Sequence, residues 1–330
     1  MKRTLLSILA MAAMSATALA ADIKPAIIYD LGGKFDKSFN ESAYNGAEKF
    51  KADTGIEYRD FEIQNDAQRE QALRKFARDG NNPIVMAGFS WAAALEKVAA
   101  EHPDTDFAII DMVVDLPNVR SIVYKEQEGS YLVGVMAAKA SESGTVSFIG
   151  GMDIPLIRKF ACGYAGGVKA TNPDATVLEA MTGTTPDAWN DPVKGGEIAK
   201  SQIAQGSDVV YAAAGGTGIG VLQAAADEGK LGIGVDSNQN GLQPGAVLTS
   251  MLKRVDVAVY NAFNDSKEGN FTYGFNVLGL AENGVDYAMD DNNAKLVSDD
   301  MRAAVEQAKA DIIAGKISVH DYTSDENCPY

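Results

Sequence analysis

Short apolar runs alternate along the chain with longer amphipathic stretches, and this alternation is the first indication of the fold. Runs such as 24–29 and 106–110 are nearly continuous in apolar residues, which is typical of strands buried on both faces of a parallel sheet. Most of these runs are followed by a polar or glycine-containing turn and then by apolar positions at helical spacing. This βαβα rhythm predicts an α/β protein with doubly wound parallel sheets.

The rhythm occurs twice, with a crossover near residue 120. The strands predicted in the first part are 24–29, 56–62, 83–87, 106–110 and 119–124. Those predicted in the second part are 145–149, 176–181, 208–214, 232–236, 246–250, 271–280 and 285–289. The roughly 310 residues that follow a cleaved leader exceed what one hydrophobic core usually serves, so two lobes are expected.

The segment 207–236 is a complete βαβ unit, with an apolar strand, a glycine-rich turn, a helix and a second strand that ends in Asp236. Ligands of parallel sheets bind at the carboxyl ends of the strands, where Gly215 and Asp236 both fall. A dinucleotide site is not favoured, because the glycines from Gly216 to Gly220 follow G-x-G-x-G rather than G-x-G-x-x-G. These glycines either admit a ligand beside bare backbone or only let strand and helix pack closely.

Further strand ends carry polar residues. Asp30 and Asp111 each follow a predicted strand, so both are expected at the edge that bears the ligand. Lys253 follows strand 246–250. A lone lysine at a strand end is ordinarily solvated, but near Asp30, Asp111 and Asp236 it is also a suitable cation to balance their charge.

Helix starts add aromatic and amide side chains. Phe39 and Asn40 begin the helix that continues through residue 51, and Asp36 or Ser38 is its expected cap. Phe39 either faces the ligand or acts only as a staple between helix and sheet. Trp189 lies in a strand-to-helix loop, where a ligand-facing role is favoured over a surface or interlobe one. Phe160 and Tyr164, spaced i and i+4 on one helix, are expected in the core.

Residues 1–20 have the pattern of a secretory signal peptide. Lys2 and Arg3 precede an apolar run, and residues 18–20 provide a small-residue cleavage site. No cysteine follows the apolar run, so a lipid anchor at a processed N-terminal cysteine is not expected. No later apolar stretch approaches the roughly 18 residues of a membrane span. The expected product is a free protein in the periplasm, without a lipid anchor.

Charge and the rarer residues narrow the function. The chain has 29 basic and 45 acidic residues, and removal of Lys2 and Arg3 with the leader leaves a net charge of −18. A nucleic-acid partner is therefore not expected, and a soluble carrier is favoured. Exported Cys162 and Cys328 are first interpreted as a disulfide, with two unpaired buried thiols as the alternative. No Cys/His cluster offers a metal site, and no cofactor is expected.

Several motifs together resemble the basic membrane protein family of ABC-transporter substrate-binding proteins, whose characterised members are purine nucleoside receptors. The motifs are DLGG at 30–33, DKSFN at 36–40, FAIID at 107–111, WNDPVKG at 189–195, AGGTGIGV at 214–221, GVDS at 234–237 and LTSMLKRVDVAV at 248–259. They span nearly the whole mature chain in order. Three departures from the family are Trp189 where phenylalanine is more usual, the added pair of cysteines, and the missing lipoprotein cysteine.

The resemblance implies a type I periplasmic-binding fold with two lobes joined by a three-crossing hinge that closes on the ligand. The expected bounds are 21–120 and 247–275 for the N-terminal lobe, and 121–246 and 276–330 for the C-terminal lobe. A nucleoside would lie between Phe39 and Trp189, with its ribose hydroxyls on Asp236 and Lys253. Four further residues would supply the remaining polar contacts, namely Asp30, Asn40, Asp111 and Gly215.

The implied partners are a purine nucleoside or related small molecule and an ABC permease in the inner membrane, and the protein is expected to be a monomer. Three alternatives stay open at this point. A sugar carrier of the same fold would use the same strand ends, and a sensor subunit would pass its ligand to a receptor. A nucleoside hydrolase is less favoured, because its Ca²⁺ site needs clustered aspartates, whereas Asp30, Asp111 and Asp236 follow three different strands.

Overall fold

A computed structural model describes residues 23–330, and the predicted signal peptide lies outside these residues. The strands are β1 Ala26–Tyr29, β2 Arg59–Glu62, β3 Ile84–Met86, β4 Phe107–Ile110, β5 Val119–Tyr124, β6 Thr145–Met152, β7 Thr176–Gly183, β8 Val209–Ala213, β9 Leu231–Asp236, β10 Val247–Lys253, β11 Gly274–Leu278 and β12 Val285–Tyr287. The helices are α1 Phe39–Thr54, α2 Arg69–Arg78, α3 Ala92–Glu101, α4 Glu126–Ala140, α5 Pro155–Thr171, α6 Pro192–Ala204, α7 Thr217–Asp227, α8 Val255–Lys267 and α9 Asp299–Ile313.

The strands form two six-stranded sheets. The first has the order β11-β5-β4-β3-β1-β2 and is parallel throughout. The second has the order β12-β10-β9-β8-β6-β7 and is parallel except for β12, which pairs antiparallel with β10. Helices α1, α2, α3 and α8 pack in the first lobe, and the other five pack in the second. The predicted doubly wound α/β fold with two lobes is confirmed.

Burial explains why these strands are continuous apolar runs and do not alternate apolar with polar residues. All four residues of β1 and all five of β8 are buried, because helices cover both faces of each sheet. Helix α4 is also apolar around much of its circumference, and it lies between α5, α9 and β10. The faces of both sheets are therefore covered by helices, and the carboxyl ends of the strands are left to face the other lobe.

Three chain crossings join the lobes, and hydrogen bonds connect each crossing to the others. The Tyr124 hydroxyl donates to the carbonyl of Arg254 at 3.1 Å, which links the first crossing to the second. The amide of Lys125 donates to the carbonyl of Leu278 at 3.0 Å, linking the first to the third. The amide of Arg254 donates to the carbonyl of Gly284 at 2.8 Å, linking the second to the third. The crossings therefore form one connected hinge.

The expected lobe bounds need correction at the second crossing. The bound at residue 247 placed strand β10 in the first lobe, whereas β10 pairs with β9 and β12 in the second sheet. The chain returns to the first lobe only with α8, which packs on α1. Likewise β5 extends the first lobe to Tyr124, four residues beyond the expected bound. A buried apolar run predicts a strand, but it does not tell which sheet the strand joins.

The C-terminal segment is attached to helix α5. A disulfide joins Cys162 of α5 to Cys328, with the Cα atoms 5.6 Å apart and a sequence separation of 166. A short 3₁₀ turn at Tyr322–Ser324 also packs against α5. Within residues 23–330, no helix is both long and apolar enough to cross a membrane.

Candidate ligand-binding site

The carboxyl ends of both sheets enclose one cavity between the lobes. The space free of protein atoms is about 610 Å³, counted out to its opening. All eight residues predicted for the ligand site line this cavity, namely Asp30, Phe39, Asn40, Asp111, Trp189, Gly215, Asp236 and Lys253. They come together because each follows a parallel strand or begins the next helix, and these positions share one edge of a sheet.

The lobes are closed around this cavity, and hydrogen bonds cross from one lobe to the other at its rim. The Ser38 hydroxyl donates to a carboxylate oxygen of Asp236 at 2.5 Å. The Ser237 hydroxyl donates to the carbonyl of Ser38 at 2.8 Å, and the Gln239 amide donates to the carbonyl of Lys37 at 2.9 Å. The start of α1 and the loop after β9 therefore form the contact that holds the cleft shut.

Two aspartates occupy equivalent places in the two lobes. Asp111 follows β4, the fourth strand of the first lobe, and Asp236 ends β9, the fourth strand of the second. Both have left-handed backbone, with φ of 71° and 62°. Such a conformation is costly for a residue other than glycine and is concentrated at functional sites. The same backbone conformation therefore recurs at corresponding strand ends of the two lobes, and both residues line the cavity.

Asp36 caps helix α1, whereas Ser38 does not. The Asp36 carboxylate accepts the backbone N–H groups of Ser38, Asn40 and Glu41 at 2.8, 3.0 and 3.1 Å. Of the two expected caps, Ser38 uses its hydroxyl for Asp236 instead. Burial raises the pKa of Asp36 to about 7, although the three N–H donors act in the opposite direction.

Asn40 lines the cavity, but its amide holds the loop that follows β1. Its side-chain oxygen accepts the N–H of Asp30 at 3.2 Å. Its amide nitrogen donates to the carbonyls of Asp30 and Gly33 at 3.3 and 3.2 Å. Since these bonds occupy the amide, the structure gives Asn40 the role of shaping the loop around Asp30.

Asp30 is held by a buried arginine from helix α2. An Arg69 guanidinium nitrogen lies 2.6 Å from Asp30 and 2.8 Å from Asp66. The N–H of Leu31 also donates to the Asp30 carboxylate at 2.7 Å. Burial raises the pKa of Asp30 in spite of Arg69. The guanidinium itself lies 4.9 Å from the ring centre of Trp91, which keeps its position fixed.

Lys253 is the cation at the floor of the cavity. Its ammonium lies 2.6 Å from Asp111 and 3.0 Å from Glu126. Burial alone would lower the pKa of Lys253, but the carboxylates of Asp111, Glu126 and Asp236 raise it above its usual range. Burial raises the pKa of Asp111 to about 6 against the effect of Lys253. Burial likewise raises the pKa of Asp236.

The aromatic residues come from opposite lobes. Phe39 begins α1 in the first lobe, and Trp189 ends a 3₁₀ turn, Pro186–Trp189, in the second. The indole lies directly over Gly151, where a Cβ atom would fall 2.1 Å from the Trp189 ring atom Cζ3. Gly151 is therefore required where it stands, because any side chain there would displace the indole. Gly215 adopts φ of 57° beside the same tryptophan.

Several lining or supporting residues were not predicted for the site. Phe160 was expected in the core, and it is buried, but it also lines the cavity. Asp36 was expected only as a cap. Arg69 and Glu126 act through Asp30 and Lys253, and no local motif distinguishes them from surface charges. Each is the first residue of a helix, Arg69 of α2 and Glu126 of α4. Among the described residues no group of three or more His, Cys, Asp and Glu is placed to hold a metal ion.

Two doubly wound lobes, joined by three crossings and closed over a polar and aromatic cavity, are typical of solute-binding proteins of ABC transporters. The chain belongs to the family described as ABC transporter substrate-binding protein PnrA-like, whose model matches residues 24–323. The predicted family is thus confirmed. A protein of this family is an extracytoplasmic substrate-binding component and not an enzyme.

Individual relatives cover most of the chain. The ABC transporter nucleoside-binding protein BmpA of Lactococcus lactis is 33% identical over 324 residues, covering 90% of this chain and 89% of that protein. An uncharacterized lipoprotein of Pyrococcus horikoshii is 37% identical over 281 residues, covering 80% and 68%. The crystal structure of an ABC transporter solute-binding protein from Aeropyrum pernix superposes with a TM-score of 0.83 at 31% identity, covering 91% and 93%.

Proposed function

We propose that the protein binds a purine nucleoside, or a closely related purine, and delivers it to an ABC permease in the inner membrane. The observation that carries the proposal is the pair of aromatic residues, Phe39 and Trp189, which line one cavity from opposite lobes. Closure of the lobes would bring both rings against a flat heterocycle, and stacking contributes about 1–3 kcal/mol per base. The Lactococcus relative, which is named a nucleoside-binding protein, supports the same ligand class.

The polar residues suit the sugar and the edge of the base. Asp236 and Lys253 offer an acceptor and a donor for ribose hydroxyls. Asp30, Asp111 and the bare backbone at Gly215 supply the remaining contacts. Asn40 contributes indirectly, because its amide shapes the loop that carries Asp30. A nucleoside of about 20 heavy atoms at roughly −0.4 kcal/mol each would bind near −8 kcal/mol, or about micromolar affinity.

The proposal includes a free periplasmic monomer. Support comes from the signal pattern of residues 1–20 and from the absence of a cysteine after its apolar run. Some relatives are named lipoproteins, so the presence or absence of a lipid anchor should be measured. Cell fractionation of the native protein, followed by mass spectrometry of its N-terminus, distinguishes a free residue near Ala21 from a lipid-modified one.

Isothermal titration calorimetry of the mature protein tests the ligand. Adenosine, guanosine and inosine are titrated in parallel with ribose, glucose and the free bases. The expected result is one site with micromolar or tighter affinity for at least one purine nucleoside and no heat with ribose. Saturation by a pentose or hexose without any response to nucleosides would overturn the proposal in favour of a sugar carrier.

A further inference from the structure

Four buried side chains of alternating charge run from the ligand cavity into the second lobe. Asp111 contacts Lys253 at 2.6 Å, Lys253 contacts Glu126 at 3.0 Å, and Glu126 contacts Lys159 at 2.8 Å. The side chains are between 1% and 9% exposed. Asp111 and Lys253 line the cavity, whereas Glu126 and Lys159 lie behind them. This set of four is called the charge chain below.

Three aromatic rings surround Lys253, and their faces attract its ammonium without replacing the carboxylates. Its ammonium lies 5.3 Å from the ring centre of Phe39, 5.0 Å from that of Tyr124 and 5.6 Å from that of Phe160. These rings exclude water, and a buried lysine without carboxylate partners tends to lose its proton. An ammonium has three N–H donors. Lys253 donates to the Asp111 carboxylate at 2.7 Å and forms an ion pair with Glu126 at 3.0 Å, on the side away from the cavity.

Glu126 is placed where hinge and site meet. It is the first residue of α4, directly after the first crossing, and its carboxylate lies between the ammonium groups of Lys253 and Lys159. The helix N-terminus adds favourable electrostatics for a carboxylate at this position. Lys159, from α5, also donates to the carbonyl of Tyr124 at 2.7 Å, at the end of the last strand before the crossing. Lys159 thereby fixes Glu126 relative to the hinge.

We propose that Glu126 and Lys159 are positioning residues of the binding site, which keep the ammonium of Lys253 charged and directed into the closed cavity. The inference rests on the proposed function, in which Lys253 contacts the ligand. Asp111 approaches the same ammonium from the first lobe, across the cleft. Glu126 and Lys159 belong to the second lobe and so hold Lys253 ready before closure.

The alternating charges allow positioning to be separated from stability. Glu126→Gln leaves the buried Lys159 with only the more distant carboxylate of Asp321, at 4.0 Å, and Lys159→Met leaves the Glu126 carboxylate with Lys253 alone. Each single change therefore lowers the melting temperature. The double variant Glu126→Gln, Lys159→Met removes one charge of each sign, so its melting temperature recovers much of the loss. Lys253 in the double variant still lacks one of its two carboxylates.

Calorimetry with the tightest-binding of adenosine, guanosine and inosine provides the first test. The double variant is expected to bind about tenfold more weakly than the unmodified protein, or worse, since the ammonium loses the ion pair with Glu126 that directs it into the cavity. As the pH is raised, the double variant should also lose affinity at a lower pH than the unmodified protein, because its Lys253 gives up its proton more readily. Glu128→Gln is the matched control: it makes the same change on α4, where Glu128 bonds Leu280 and Lys125 instead.

A second readout does not depend on a ligand. The pH titration of the Lys253 side-chain amine is followed by NMR in lysine-labelled protein, with Lys253→Met to assign the signal. Deprotonation at lower pH in the double variant than in the unmodified protein is expected. Unchanged titration, or unchanged affinity and alkaline pH profile in the double variant, would overturn the inference. If Lys253→Met binds nucleoside as tightly as the unmodified protein, Lys253 does not contact the ligand as the proposed function requires. The inference about Glu126 and Lys159 is then rejected as well.

Discussion

The hydroxyl of Ser38 in the first lobe donates a hydrogen bond of 2.5 Å to the carboxylate of Asp236 in the second lobe. Both side chains are buried in the closed cleft, and Asp236 ends a strand that faces the ligand cavity. The bond exists only while the lobes are together, so it contributes to closure and not to the stability of either lobe alone.

Ser38→Ala is therefore expected to weaken nucleoside binding. Hydrogen bonds to charged groups contribute about 1.5–3 kcal/mol, which corresponds to roughly 10- to 150-fold in affinity. Titration calorimetry measures the loss, and small-angle X-ray scattering reports the fraction of closed protein at saturating ligand. Ser201→Ala, an exposed serine of the second lobe, is the control. Equal affinity of Ser38→Ala and the unmodified protein would show that the bond does not contribute to closure on ligand.

Trp189→Ala tests the aromatic wall. Loss of the indole is expected to weaken nucleoside binding by about 1–3 kcal/mol, or roughly 5- to 150-fold, because a stacking surface is removed. Trp189→Phe should recover most of this loss, since it keeps a π face. The indole is half-buried, so the melting temperature of the unliganded protein should change little. A large drop in that melting temperature with affinity intact would make Trp189 a core residue instead.

Gly151→Ala tests the space behind the indole. The added methyl group would lie 2.1 Å from Cζ3 of Trp189, so the ring must move into the ligand space and nucleoside affinity should fall at least tenfold. The double variant Gly151→Ala, Trp189→Ala lacks the clashing ring altogether and should bind close to Trp189→Ala alone. The four proteins form a double-mutant cycle in calorimetry. Additive losses in that cycle would contradict a direct steric conflict.

Asp36 makes stability depend on pH. Burial raises its pKa from an ordinary value of 3.8 to about 7, so between these values the folded protein holds a proton that the unfolded chain has released. Stability from this group is complete below about pH 4 and is lost as the pH rises through 7, with a slope of at most about 1.4 kcal/mol per pH unit. Urea unfolding from pH 5 to 8 should show a shallower dependence for Asp36→Asn.

The control for Asp36 is another helix cap. Asp191 accepts the N–H of Lys194 at the start of α6, and Asp191→Asn makes the same chemical change outside the cavity. Asp191→Asn is expected to retain the pH dependence of the unmodified protein. An unaltered slope in Asp36→Asn would mean that its carboxyl group does not hold the proton.

The disulfide should stabilise the protein without affecting the ligand. Replacing Cys162 and Cys328 by serine is expected to lower the free energy of unfolding by about 2–4 kcal/mol, because the unfolded chain loses a long cross-link. Nucleoside affinity should change little, since neither cysteine lines the cavity. Non-reducing peptide mapping of freshly isolated protein checks the bond itself, and two alkylatable thiols there would contradict it.

The sequence allowed residues at strand ends to be predicted, but it did not allow prediction of the side chains from other helices that contact them. Asp30, Asp111 and Asp236 could be placed near one another because parallel strands end at a common edge. Lys253 could be chosen as a cation for the same reason. Nothing in the local pattern indicates that Arg69 reaches Asp30 or that Glu126 reaches Lys253, since these pairs form only through the packing of separate helices.

The same limit explains the error at strand β10. Its apolar run predicts a buried strand correctly, but pairing with β9 rather than with a strand of the first lobe depends on the whole sheet. Phe160 illustrates a related difficulty: a helical i, i+4 spacing indicates a buried face, and that face can belong to a core and to a cavity at once. Sequence periodicity predicts burial, whereas the contents of a buried space require the fold.

Among residues 23–330, those that line the cavity include four carboxyl groups, of Asp30, Asp36, Asp111 and Asp236, and one ammonium, that of Lys253. A phosphate ester would bring up to two further negative charges into this enclosed field, where like charges repel strongly. Under the proposed function, nucleotides are therefore expected to bind this site far more weakly than uncharged nucleosides. Their import along this route would first require a phosphatase to convert them to uncharged nucleosides.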